Sequence, residues 1–431
     1  MAADILITLP IAALFVLIAL RCLYGFGWQP AGLEKAFPRW RVPTSPADGY
    51  AAPGWKVFTL TLGLRVFLFA ASLCWVWLQS GQALSLGEAV QSLCRWDAAH
   101  YINLAEQGYD GYVENGQHLF LVFYPAYVWL LRAARVLIPH TLLAGMVLSS
   151  LCYAGGCCFV YRLARLFYPH AVARDGVLFL SLFPFSFFFG AAMTEGLFLL
   201  STGAAVYYAC RGKWLPFGLW GALAALTRMT GVLVLAPAIL TLLGREKPLE
   251  SPLGPSLART GKRLLRTLPC LLLPLLGTLG YLALNYAVDG DPFAFLTHQE
   301  HWYQGPMWVS RVLRYVWDYL LHFWNASNGW AIWLPTLLLF LLCFGLLLWG
   351  TLRDRRADPG LLAYGFCYLM ANYSLSWLLS AGRYLSCGFV FFLLAASLTE
   401  NRPNLRRGLL AGEAVLLGIY LCGHLSGAQI M

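Results

Sequence analysis

The chain has 431 residues, 59% of them hydrophobic and only 12% charged, about half the charged fraction of an ordinary soluble domain. Apolar runs long enough to span a bilayer recur from end to end, which leaves no soluble domain of useful size. The formal charge of +10 sits mainly in short loops between these runs, as the positive-inside rule requires, so it does not point to nucleic acid.

In chain order, apolar spans are expected near 5–23, 57–79, 141–166, 175–190, 195–210, 215–228, 229–243, 266–287, 330–351, 361–379, 384–399 and 408–424. The expected fold class is all-α: a polytopic transmembrane helical bundle of about 12 membrane segments (range roughly 11–13), forming one integral-membrane domain over 1–431. The first segment, ILITLPIAALFVLIAL, follows Asp4 and precedes Arg21 without a basic leader, and reads as an uncleaved anchor. Five segments between 175 and 399 are short for a full crossing of ~20 residues. They fall in hairpins whose tips dip into the membrane around a cavity, the one place where irregular backbone is tolerated at depth. The run HLFLVFYPAYVWLLRAARVLI (118–138) is apolar enough to span, but Arg132 and Arg135 within it favour a partly inserted or interfacial helix. The cysteines form no CxxC pair and lie mostly in apolar stretches such as CYAGGCC (152–158), so buried thiols are expected rather than zinc or a disulfide frame.

Charge orients the bundle. Loops 24–56 (with Lys35, Arg39, Arg41 and Lys56), 244–266, RDRR (353–356) and NRPNLRR (401–407) are basic and fall on one side, the cytoplasmic one. The loops 80–122 and 288–329 are acidic and aromatic, and lie outside together with both chain ends. Five polar interruptions reach that outer face: RWDAAHYINLAEQGYDG (95–111), Met193-Thr194-Glu195, Thr227-Arg228, His298-Gln299-Glu300-His301-Trp302 and Gly382-Arg383-Tyr384. Ionisable residues at membrane depth suggest function by default, and these converge on one side.

On a helix over 95–107, Asp97, His100, Tyr101 and Leu104 share a face, with Glu106 nearly opposite. A carboxylate beside a histidine suits deprotonation of a hydroxyl nucleophile. Arg228 and Arg383, at hairpin tips, suit a phosphate or diphosphate through planar multi-donor contacts. A lipid-linked phosphosugar meets both demands, with its tail among membrane lipids. Each feature also has a structural alternative. Asp97 can N-cap a helix or pair with Arg95; Glu195 and Arg228 can form an ion pair between hairpins; Arg383 can cap carbonyls at a turn. His298 and His301 have metal-ligand spacing but no matching partner pair, so no metal site is assigned, although a divalent metal stays compatible with the chemistry. There is no P-loop, no GxGxxG between strand and helix, and no HExxH. No cofactor is expected.

RWDAAHYINLAEQGY (95–109), FYPAYVWLL (123–131), FPFSFFFGAAMTEGLF (183–198), ALTRMTG (225–231), PFAFLTHQEHW (292–302) and GRYLS (382–386) resemble, in order, segments of the PIG-V family of GPI mannosyltransferases. The likeness runs from about 57 to 399 and suggests a prokaryotic relative. The resemblance implies GT-C architecture: a multi-spanning helical enzyme whose first outer loop presents a catalytic aspartate, and which moves mannose from dolichyl-phosphate mannose to a lipid-linked acceptor with inversion. Asp97 would then be the base. Donor phosphate or sugar binding is assigned to Arg228, Arg383, Tyr384, His298 and Gln299, with support from Arg95, Trp96, His100, Glu106, Tyr124, Glu195 and Trp302. The chain departs from the family at Ala99, where the motif can carry an acid, and has an extra first span. Its shorter length and the want of an evident ER retention tail favour a bacterial or archaeal cell membrane, a polyprenyl-phosphate mannose donor and an acceptor hydroxyl of a glycolipid. The competing readings are a flippase or transporter of polyprenyl-linked sugar and a non-catalytic partner of another membrane enzyme.

Overall fold

A computed structural model describes residues 2–37, 40, 52–81 and 84–430; Arg39 and Arg41 of the first basic loop lie outside the described residues. Among those described, every regular element is helical. Seven helices are long and apolar enough to cross a membrane: Asp4–Gly25, Gly54–Ser80, Thr141–Ala164, Met229–Glu246, Leu253–Asp289, Gly329–Leu352 and Pro403–Leu425. Their outer faces carry large apolar side chains in the open, among them Leu60, Phe67, Leu265, Leu341 and Ile419, which water would not tolerate over so wide a belt. The protein is a polytopic helical membrane protein.

The remaining five apolar segments are short or broken helices, mostly buried, although the helix Trp214–Thr227 keeps an outer face with Leu215 and Leu219 exposed. The stretch read as 175–190 divides into His170–Leu182 and a tight 3-10 turn, Ser186–Gly190, on either side of Pro184. A proline there removes an amide and leaves carbonyls open. Arg65, from the second span, supplies the missing donors: it reaches Ser186 O at 2.5 Å and Ser181 O at 3.1 Å while stacking 4.5 Å from the Tyr153 ring. Irregular backbone at depth is thus satisfied from within the protein.

The central helix, Glu195–Cys210, is buried on nearly every side. It packs closely on Thr141–Ala164 because small residues line the seam. A Cβ on Gly196 would meet Ser149 O at 2.3 Å, so only glycine fits beside the first residue of this helix. That contact fixes the height at which Glu195 enters the bundle. The run 118–138 does not cross. It forms a 3-10 turn, Leu119–Val122, then a 10-residue helix, Pro125–Ala134. At ~1.5 Å per residue that helix covers about half of a ~30 Å core, and its last residues turn back so that Arg135 donates to Ala105 O at 3.1 Å.

Candidate active site

The opening motif folds differently from the single helix expected over 95–107. Trp96 takes a left-handed backbone (φ 52°), a costly conformation for a bulky residue. The helix therefore starts only at Ala98. Asp97 stands at its N-cap position but makes no side-chain capping bond, and Arg95 donates instead to Leu425 O at 2.9 Å. Both structural alternatives for Asp97 fail on these contacts. Its carboxylate accepts from Arg383 Nη1 at 2.5 Å, across 286 residues of chain.

Arg383 lies in a short helix, Ala381–Ser386, pressed against the Pro184 break: a Cβ on Gly382 would sit 2.4 Å from the Phe185 ring. Its guanidinium stacks 5.5 Å from the Phe188 ring, and its Nε donates to Glu195 Oε1. Rather than capping carbonyls at a turn, Arg383 spans two carboxylates. Glu195, wholly buried, receives Arg228 Nη2 on the same oxygen. Arg228 stands where the helix Trp214–Thr227 gives way to the 3-10 turn Met229–Val234, and its Nε donates to Thr194 Oγ1 at 2.8 Å. The expected Glu195–Arg228 ion pair is present, as one link in a chain: Asp97, Arg383, Glu195, Arg228. Two guanidinium groups and two carboxylates sum to zero formal charge. Glu195 also heads a helix, where the N-terminal dipole favours an anion.

This chain borders a cavity of about 590 Å³. Asp97, Arg228 and Arg383 face it along with Trp96, His100, Tyr124, Gln299, Trp302 and Tyr384. Among the described residues Asp97 is the only carboxylate on its wall, because Glu195 lies behind the arginines. Tyr124 stacks on Tyr281 at 3.8 Å, and Tyr384 lies 5.8 Å from the Arg228 guanidinium. His100 does not bond to Asp97. Its Nδ1 lies 3.0 Å from the Tyr112 hydroxyl and its ring stacks on Phe120 at 4.8 Å. Burial holds its pKa below the ordinary histidine value, against the opposing pull of Asp97 and Glu114, which favours a neutral ring at pH 7.

Three residues expected at the site stand elsewhere. Arg95 is spent on Leu425. Glu106 accepts from the Thr141 hydroxyl, on the helix side facing away from Asp97, as its spacing implied. His298 Nε2 meets Asp289 Oδ2 at 2.7 Å, and the other oxygen of Asp289 meets His118 Nδ1 at 2.8 Å, so His298 is spent on Asp289, the residue that ties loop 288–329 to loop 80–122. The chain makes a turn of 3-10 helix at Glu300–Trp302, and that swings His301 onto the cavity wall instead. Thr194, part of the polar interruption Met193-Thr194-Glu195, also lines the cavity, as do Trp377 and Asn372, which were not singled out from sequence. Among the described residues no group of three or more His, Cys, Asp or Glu is placed to hold a metal ion.

Residues 124–258 match the family described as dolichyl-phosphate-mannose-protein mannosyltransferase. That stretch is less than a third of the chain; it includes Tyr124, Glu195 and Arg228 but neither Asp97 nor Arg383. Comparison with curated proteins gives no match. Among solved structures, the oligosaccharyltransferase of Archaeoglobus fulgidus in complex with zinc and sulfate is similar at 13% identity and a TM-score of 0.47, over 86% of this chain and 53% of that one. The same organism's oligosaccharyltransferase AglB, with an inhibitory peptide and a dolichol-phosphate, is similar at 12% identity and a TM-score of 0.45, over 86% of this chain and 55% of that one. The chain therefore spans about half the length of these relatives.

Proposed function

We propose that this membrane protein is an inverting glycosyltransferase of GT-C type that moves mannose from a polyprenyl-phosphate donor to a hydroxyl of a lipid-linked acceptor, a glycolipid, on the extracytoplasmic face of a bacterial or archaeal membrane. The observation that carries this reading is the cavity wall itself: among the described residues, one carboxylate, Asp97, and two arginines, Arg228 and Arg383, on a chamber otherwise lined by aromatic, neutral polar and a few aliphatic side chains. The partial match to a family named for dolichyl-phosphate mannose supports the donor class, and the order of motifs that resemble PIG-V supports mannose.

The chemistry follows from the residues. The acceptor hydroxyl attacks the anomeric carbon, Asp97 takes its proton, and the polyprenyl phosphate leaves with its developing charge met by guanidinium groups. A retaining route by double displacement calls for a second carboxylate at the sugar, and the cavity wall offers none among the described residues. Trp96, Trp302 and Trp377 supply flat faces for pyranose rings, and Gln299 and Asn372 supply amide partners for hydroxyls.

The test uses purified wild type and Asp97→Asn in nanodiscs, with polyprenyl-phosphate mannose and a lipid extract as acceptor, following release of polyprenyl phosphate. Turnover is expected to fall by about a hundredfold or more in the folded variant. Equal turnover would remove Asp97 from the mechanism. Movement of the intact donor between leaflets, without release of phosphate, would favour a flippase.

A further inference from the structure

Resting on that reading, the geometry of the charge chain poses a problem whose solution is specific. In a single displacement the base and the leaving group stand on opposite sides of the anomeric carbon; where two carboxyl groups do comparable work in inverting hydrolases, they are ~6.5–9.5 Å apart. Here the base and one phosphate-binding arginine are in direct contact, Asp97 Oδ2 lying 2.5 Å from Arg383 Nη1. No sugar ring fits between them. If both residues serve the reaction, this pair must open.

The other contacts say which partner moves. Arg383 is held from behind by Glu195, which is fully buried, and by the Phe188 ring, and its side chain is 4% exposed. Asp97 has a single charged partner, no capping bond, and a side chain 36% exposed toward the cavity. Arg228, by contrast, makes no hydrogen bond to Asp97; it donates to Glu195 and Thr194 through Nη2 and Nε and lies over the Phe198 and Tyr384 rings. It is available to an arriving anion before any pair is broken.

We propose that the lipid phosphate displaces Asp97 from Arg383: Asp97 occupies in the empty site the guanidinium edge that the phosphate takes in the loaded one, so that the base is uncovered only when the donor is in place. The anion docks first against Arg228, then bridges to Arg383, and Asp97 swings toward the acceptor side of the cavity. Glu195 is the positioning residue that keeps both arginines in place during the exchange. A water molecule in the empty site then meets a carboxylate already paired, and the acceptor is engaged after the donor.

The experiment measures binding of farnesyl phosphate, with farnesol as the uncharged control, to wild type and Asp97→Asn in nanodiscs. Removing the competing carboxylate should tighten phosphate binding by about tenfold, the scale of one charge-assisted contact, although the same change abolishes turnover. A role for Asp97 confined to proton transfer gives equal affinities and overturns the proposal. Relief of long-range repulsion also tightens binding, so the comparison is repeated in Arg383→Gln: the gain should vanish there, and a gain that persists overturns the proposal. If Arg383→Gln does not fold, the ratio of affinities is measured at about 0.5 M salt, where screening acts within a few ångströms. A ratio that holds supports displacement at a direct contact; one that collapses to unity refutes it. Loss of phosphate binding in Arg228→Gln alongside an unchanged Asp97→Asn keeps the donor reading and rejects the displacement. Failure of wild type and Asp97→Asn alike to prefer farnesyl phosphate over farnesol rejects both.

Discussion

The two ends of the bundle each hold buried arginines, and they use them in opposite ways. At the basic end Arg21, 2% exposed, donates to four carbonyls, those of Gly350, Thr351, Asp354 and Ala357, at 2.6–2.7 Å. It closes the C-terminus of the helix ending at Leu352, where cations are favoured. Nearby, Arg356 pairs with Glu400 at 2.5 Å and Arg406 with Asp175 at 2.8 Å. Both terminal nitrogens of Arg21 are filled by the protein, and among the described residues no cavity opens on them. At the cavity end Arg228 and Arg383 bond through two nitrogens each and border open space, and the Oε2 of Glu195 is buried without a partner. Incomplete pairing around a chamber, more than burial of charge as such, separates a site from a strut.

The sharpest break of this comparison is at Glu195. Glu195→Gln leaves Arg228 with no carboxylate partner and Arg383 with Asp97 alone, and removing one member of a buried ionic cluster costs about 3–5 kcal/mol. A fall in the melting temperature of the detergent-solubilised protein, together with loss of turnover, is expected. An unchanged melting temperature would mean that the arginines are held by their stacking on Phe188 and Phe198 and not by this carboxylate.

Arg21→Gln sharpens the contrast from the other side. It deletes donors to four carbonyls, of which Thr351 O keeps Trp40 Nε1 as a partner, and each orphaned buried acceptor costs about 1–3 kcal/mol, so stability falls about as far as for Glu195→Gln. Turnover per folded molecule should stay near wild type, because Arg21 lies outside the cavity wall. Activity normalised to the folded fraction, measured by gel filtration, checks this. A selective loss of activity would give the basic end a part in catalysis.

Gly196→Ala probes the seam that sets the height of the site. The new methyl would press on Ser149 O, and overpacking of this kind costs about 1–3 kcal/mol. If the helix shifts to relieve it, Glu195 moves with it, so activity should drop more than stability does.

What could be read from the sequence divides along the same physical line. In an apolar chain each charged residue at depth is conspicuous, so Asp97, Glu195, Arg228 and Arg383 were visible as anomalies, and the twelve apolar segments each fall mainly on helix. The Glu195–Arg228 pair could be named from sequence, but the Asp97–Arg383 contact could not, because it is set by tertiary packing across most of the chain. Local backbone misled the reading twice. Helical spacing placed 95–107 on one helix, but the left-handed Trp96 starts it at Ala98. Adjacency favoured His298, but its neighbour Asp289 captures it and a tight turn presents His301 in its place. No periodicity argument foresees a captured side chain.

The smallest expected effect concerns His100, an imidazole packed against Phe120 and Phe123 beside the cavity. Burial lowers its pKa in the folded protein, so between the ordinary value of about 6.5 and the lower folded value the unfolded chain binds the extra proton. Stability is therefore full above about pH 6.5 and declines as the pH falls through the folded pKa. His100→Gln, which keeps a polar partner near Tyr112, should flatten the acid limb of the melting-temperature profile while leaving the plateau at neutral pH within about a degree or two. Because His100 does not touch Asp97, the same substitution should also leave the acid limb of turnover in place. If that limb disappears with His100, the imidazole shares the proton of the acceptor hydroxyl, and the division of labour that leaves Asp97 alone as base has to be redrawn.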